Sequence, residues 1–155
     1  MNKEKIAFIP RQYLAVIAVL LAIMMSVLDG TIMNIALPTL AHDFDVTPST
    51  AIWIVNAYQL VITMTLLSFA SLGDIYGYRR IFLIGISIFV GASLACTLST
   101  SFWMLTAARV IQGFGAACVM SVNTALIRLI YPPQILGRGM GVNAMVVAVS
   151  AAAGP

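Results

Sequence analysis

Charge is scarce in this chain: of its 155 residues only 8% are charged, eight Lys or Arg and five Asp or Glu. So few cannot cover the surface of a soluble domain of this length, which excludes a water-soluble globule. The basic residues occur in ones and twos rather than along one stripe, and no zinc-finger or RNA-recognition pattern is present, so nucleic acid is excluded as a partner. Histidine occurs once and cysteine twice. No CxxC pair, phosphate-binding glycine loop or nucleophile elbow appears, and no enzyme constellation emerges. His42 with Asp43 and Asp45 reads either as a weak metal site or as a solvated loop; the loop is the simpler reading, and no metal site is assigned. Cys96 and Cys118 both fall in apolar runs. The fourth run places Cys118 about 23 Å from its outer end, whereas Cys96 lies near the outer end of the third, so they cannot be bridged and read as small apolar packers.

What is abundant is apolar surface, 61% of residues, with a mean hydropathy of +1.03. Crossing about 30 Å of hydrocarbon takes roughly 20 helical residues. Runs of that kind cover residues 13–37, 51–72, 81–100 and 103–130, and a fifth, 140–155, reaches only about 24 Å at the helical rise. The expected fold is all-α, a polytopic transmembrane helix bundle whose natural partner is the lipid bilayer. The first run is too long for a signal peptide, and it is expected to remain as a span. The fifth is expected to be incomplete, making the chain the N-terminal portion of a longer protein. Thr47-Pro48 supplies an N-cap and first helical residue, Gly77 breaks the second connection, and Pro132-Pro133 follows the fourth run. The connections are short, so neighbouring helices run antiparallel.

Lys and Arg alternate by segment. Lys3, Lys5 and Arg11 precede the first run, none lies between the first and second, Arg79 and Arg80 follow the second, none follows the third, and Arg128 and Arg138 flank the fourth connection. The positive-inside rule therefore expects a cytoplasmic N-terminus and places His42, Asp43 and Asp45 outside.

Polar residues within spans are costly and hence informative. Asp29 lies about 24 Å above the cytoplasmic start of the first helix, and Arg109 about 9 Å below the outer start of the fourth; in a core about 30 Å thick both fall in the outer half. If their helices are neighbours, the pair offsets its own desolvation, and the carboxylate can load and release a proton. A permanently paired strut is the alternative. Arg109, Gln112 and Ala116 share a face, with Gly113 beside them for close packing. Asn34 sits about 140° around the helix from Asp29 and joins that patch only if Gly30 loosens the turn. In the second helix Asn56, Tyr58 and Gln59 offer hydrogen bonds and aromatic surface for a pathway, while Trp53 serves equally as an interfacial anchor. The third helix has no charge and reads as a support, leaving the pathway to the first, second and fourth.

Four segments carry a resemblance. Leu28-Asp29-Gly30-Thr31-Ile32-Met33-Asn34-Ile35-Ala36-Leu37-Pro38 resembles the first-helix signature of the 14-span drug:proton antiporters in the major facilitator superfamily. Gly73-Asp74-Ile75-Tyr76-Gly77-Tyr78-Arg79-Arg80 resembles the loop between helices two and three, with Ala70, Ile75 and Tyr78 departing from the family's Gly and basic residues. Arg109-Val110-Ile111-Gln112-Gly113-Phe114-Gly115-Ala116-Ala117 follows in helix four, and Gly141 with Gly154-Pro155 fits the antiporter pattern of helix five, where Ser150 replaces a Gly. The resemblance implies the first part of an N-terminal six-helix bundle in a bacterial cytoplasmic membrane. It further implies a proton-driven, alternating-access exporter of small lipophilic, often cationic, drug-like compounds, with no cofactor beyond the proton gradient. Asp29 would be the proton-responsive carboxylate and Arg109 its partner, with Asn34, Asn56, Tyr58, Gln59 and Gln112 along the substrate path. Asp74, Gly77, Arg79 and Arg80 would form a gating loop, and Gly113, Gly141, Gly154 and Pro155 a packing and bending interface with the remainder of the transporter. Arg79 and Arg80 read equally well as topology anchors. A metabolite transporter of the same superfamily and a non-transporting membrane interaction module stand as alternatives, and the isolated chain is expected to be inactive.

The Lys/Arg alternation generates a direct test. With Cys96 and Cys118 replaced, a single cysteine at position 43 is expected to react with a membrane-impermeant thiol reagent from outside the cell, and one at position 79 only from inside. Labelling of position 43 solely from the cytoplasmic side overturns the orientation.

Overall fold

A computed structural model of the chain describes the backbone of residues 3–131 and 134–153, with side chains from residue 14 onward. Among the described residues the chain is all helix: α1 Lys3–Asp43, α2 Pro48–Tyr76, α3 Tyr78–Thr97, α4 Phe102–Ile130 and α5 Leu136–Ala153. Each contains a stretch long and apolar enough to cross a bilayer. The chain is thus a multi-pass membrane helix bundle.

The helices outrun the apolar runs that specify them. The first and second runs end at Leu37 and Leu72, yet α1 continues through Pro38 to Asp43 and α2 through Asp74 to Tyr76. The physical reason is that hydrocarbon thickness limits the apolar part of a helix and not the helix itself, which persists into the interface until a cap ends it. At the C-terminal end of α1, Asp45 takes a left-handed φ of 50°, the Val46 N–H reaches Ala41 C=O at 3.0 Å and the Asp45 N–H reaches His42 C=O at 3.2 Å. This reversal satisfies the last carbonyls. Two residues later Thr47 caps α2, its hydroxyl accepting from the Thr50 N–H at 3.3 Å, with Pro48 at the first position. Ser101 caps α4 in the same way through Met104 N–H.

The second connection is a single residue. Gly77, at φ 93°, both ends α2 and starts α3, a backbone conformation that a side chain would strain. The expected gating loop is therefore not a loop: Asp74 sits in the last turn of α2, and Arg79 and Arg80 sit in the first turn of α3.

α4 occupies the centre. Over its most apolar stretch 56% of residues are buried, against 11–28% in the other four helices. It packs on α3 along one side and α2 along the other, both at backbone distance. A Cβ at Gly115 would fall 2.6 Å from Phe89 N and 2.8 Å from Gly85 O on α3, and one at Gly113 would fall 3.0 Å from Tyr58 O on α2. Such approach replaces the missing hydrophobic drive between helices in lipid with dispersion contact. Toward the Gly77 end of the bundle, Val19 and Ile23 of α1 join Ile81, Phe82, Cys118, Val119 and Val122 in the largest buried cluster, with Leu136, Met140 and Val147 of α5 packed against it.

Gly115→Ala is expected to destabilise the bundle by about 1–3 kcal/mol, since backbone atoms cannot retreat as a side chain can. Gly91→Ala, where no atom lies within 4 Å, is expected to leave stability unchanged. Thermal unfolding of the two variants in detergent measures both.

Candidate functional site: a buried ion pair bridging three helices

The close approach of α2 and α3 to α4 fixes what surrounds Arg109, one full turn before Gly113. The Arg109 side chain is 1% exposed, and its Nη1 donates to Asp29 Oδ2 of α1 at 2.6 Å. The same Nη1 donates to Gln112 Oε1, one turn along α4, also at 2.6 Å. Gln112 Nε2 in turn donates to Asp29 Oδ1 at 3.0 Å and to Ser93 Oγ of α3 at 2.8 Å. Beneath the guanidinium lies the ring of Tyr58 from α2, with Arg109 Cζ 4.9 Å from its centroid. Charge-assisted bonds on one side and an aromatic face on the other are what a desolvated guanidinium requires. Arg109 Nε is buried with no hydrogen-bond partner among the described residues.

Asp29 is the accessible member. Its side chain is 24% exposed, and it opens into a cleft of about 580 Å³ walled by α1, α3 and α4. Leu40 and Asp43 border this cleft from the C-terminal end of α1, Phe44 from just beyond it, and Leu105 from the start of α4. Asp29 thus has one oxygen on a buried cation, the other on an amide, and a face toward an open cleft.

The structure brings together Asp29, Arg109, Gln112 and Tyr58 of the residues singled out in the sequence, with Gly113 making the α2 contact that places Tyr58. It leaves others outside. Asn34 is exposed and donates to Gly30 O of its own helix at 3.1 Å, α1 remaining helical through Gly30. Asn56 and Gln59 are exposed on α2 and do not line the cleft. At the other end of α2, the Asp74 carboxylate accepts a hydrogen bond from the Tyr78 hydroxyl. No ion pair joins Asp74 to Arg79 or Arg80 among the described residues; Arg79 instead borders an apolar groove with Leu14 and Ala18 of α1. Gly141 faces open space, and Gly154 and Pro155 lie outside the described residues. His42 and Asp43 are both highly exposed, 3.7 Å apart.

Two residues of the site escaped the sequence reading, and both belong to α3, the helix expected to be a mere support. Ser93 holds the Gln112 amide, and Cys96 Sγ lies 3.7 Å from Gln112 Oε1, so this cysteine touches the polar network as well as packing against the Ile54, Phe102 and Leu105 cluster. Their spacing of three residues puts them on one face, which was the available signal.

A membrane bundle organised around an intramembrane ion pair in a cleft is the architecture of a solute carrier, and the comparisons specify which kind. The model of the Major Facilitator Superfamily matches residues 19–155, and the chain belongs to that family. It is 59% identical over 147 residues to the uncharacterized transporter YebQ of Escherichia coli (strain K12), covering 95% of this chain and 32% of that protein. It is 34% identical over 145 residues to the riboflavin transporter RibZ of Clostridioides difficile (strain 630), covering 94% and 32% respectively. It is 39% identical over 147 residues to the drug efflux pump JefA of Mycobacterium tuberculosis, covering 94% and 29%. The chain spans about a third of the length of these relatives.

The aromatic floor of the site generates a prediction. Tyr58→Phe keeps the ring beneath Arg109 and is expected to unfold at nearly the wild-type temperature. Tyr58→Leu removes the ring's charge distribution and is expected to lose about 1–2 kcal/mol. Thermal unfolding of the purified variants distinguishes them.

Proposed function

We propose that the full-length protein is a proton-driven exporter of small lipophilic, often cationic, compounds, working by alternating access in a bacterial cytoplasmic membrane with its N-terminus inside. The observation that carries this reading is the Asp29–Arg109 pair, whose carboxylate reaches an open cleft while its guanidinium is sealed. Asp29 loads a proton and so loosens its hold on Arg109; Arg109 keeps the deprotonated carboxylate stable inside the membrane. The proton gradient is the energy source. Asp74 with Gly77, Arg79 and Arg80 forms the cytoplasmic latch, Asp74 free to meet the remainder of the transporter, which supplies the second wall of the cavity. The five helices here do not complete that cycle alone. The likeness to JefA, described as a drug efflux pump, supports export of drug-like compounds. A metabolite substrate is the second reading, supported by the likeness to RibZ, described as a riboflavin transporter.

In the full-length protein, Asp29→Asn is expected to abolish pH-gradient-driven transport in proteoliposomes while the protein still inserts. Breaking a buried pair costs up to about 3–5 kcal/mol, so folded yield by size-exclusion chromatography accompanies the assay. Undiminished gradient-driven transport by well-folded Asp29→Asn refutes the coupling role, and a panel pairing lipophilic cations with riboflavin separates the two substrate readings.

A further inference from the structure

The Gln112 amide is the junction of the site. Its carbonyl faces the Arg109 guanidinium at 2.6 Å, and its NH2 group divides between Asp29 Oδ1 at 3.0 Å and Ser93 Oγ at 2.8 Å. While Asp29 is charged, this orientation is the only consistent one. Turning the amide over would set its carbonyl against a carboxylate and its NH2 against a cation. Gln112 is 1% exposed, so no water substitutes for these partners from outside.

We propose that Gln112 and Ser93 are positioning residues for Asp29: Ser93 holds the Gln112 NH2 group toward the carboxylate, and that donor favours the deprotonated form. The inference rests on the reading of Asp29 as the proton-responsive group and adds to it a helix and a residue not otherwise implicated. The physical argument concerns donors. Both Asp29 oxygens accept, Oδ2 from Arg109 and Oδ1 from Gln112. An incoming proton avoids the oxygen that faces the cation and so binds Oδ1, where the new O–H meets the Gln112 N–H donor-to-donor. The Gln112–Asp29 bond then breaks. Gln112 does not follow, because Ser93 retains its NH2 group and Arg109 retains its carbonyl. Proton uptake therefore loosens α1 by one hydrogen bond, and turns its remaining bond, Arg109 to Oδ2, from a charge–charge contact into one to a neutral carbonyl, while the frame of α2, α3 and α4 stays assembled around Arg109. The titratable or charged groups facing this event are Arg109 of α4, Cys96 of α3, Tyr58 of α2 and, at the cleft mouth, Asp43 of α1; Arg138, at the start of α5, does not line the cleft.

The test is an infrared pH titration of the purified full-length protein in lipid, following the carboxylic-acid C=O band that Asp29→Asn deletes. Removing the donor in Gln112→Leu is expected to move the midpoint of that band to higher pH by about one unit, a tenfold gain in proton affinity. Ser93→Ala is expected to move it the same way by less, and Ser93→Thr, which keeps the hydroxyl, is expected to titrate as wild type. Should Gln112→Leu fail to fold, Ser93→Ala, which deletes a single oxygen, carries the comparison with Ser93→Thr. Midpoints for Gln112→Leu and Ser93→Ala that coincide with wild type overturn the positioning role and leave the proton site standing. The absence of any Asp29-dependent band over the pH range in which the protein stays folded overturns the reading of Asp29 itself, and this inference with it.

Discussion

A guanidinium within a membrane has to be matched, and much of this bundle is arranged around meeting that condition for Arg109. Its charge is neutralised by Asp29, its second acceptor comes from Gln112 and its flat face rests on Tyr58. The supports on α2 and α3 depend on the glycines of α4. Gly113 admits the α2 backbone that carries Tyr58, and Gly115 admits the α3 backbone that carries Ser93. Packing at backbone distance and electrostatic satisfaction are thus one requirement here, because a wider helix spacing would pull the polar groups beyond hydrogen-bonding range.

That coupling explains what was legible beforehand and what was not. The five helices were readable because hydropathy at the length of a bilayer leaves few alternatives, and Thr47-Pro48 marked the start of α2 in advance. That Asp29 and Arg109 stand at matching levels on their helices followed from counting residues, since helical rise is constant, and the two do pair. Helix ends were less legible at Asp43 and Tyr76, where polar residues continue a helix beyond hydrocarbon. The role of α3 was missed for a different reason: serine is common in membrane helices, where it often bonds its own backbone, as Ser87 does with Leu83 O. Only the rotation of α3 about its axis distinguishes Ser87 from Ser93, and rotation is set by Gly85 and Gly115, not by either serine. Asn34, Asn56 and Gln59 failed to join the site for the same reason, their faces being turned elsewhere.

The end of the bundle at Gly77 shows a second economy of means. One residue, Gly77, reverses the chain, so Asp74 and Tyr78 are brought within reach across the break, and the Tyr78 ring lies where a Cβ at Gly73 would meet it at 2.9 Å. The signature that Gly73-Asp74-Ile75-Tyr76-Gly77-Tyr78-Arg79-Arg80 resembles would have a basic residue at position 78. Here a phenol takes that position and gives Asp74 a neutral partner, leaving Arg79 and Arg80 unattached to it among the described residues.

Pro38 lies inside α1 and has no N–H to offer, so the carbonyl of Asn34 lacks its helical partner at the level where α1 passes the cleft. A rod with one bond missing is most compliant there. The portion beyond the weak point carries Leu40, Asp43 and Phe44, which overhang the approach to Asp29. The rim of the cleft at that end of α1 is therefore attached to the rest of the bundle across the weakest stretch of the helix ladder, like a flap on a worn crease. Bending there needs no bond of the ion pair to break.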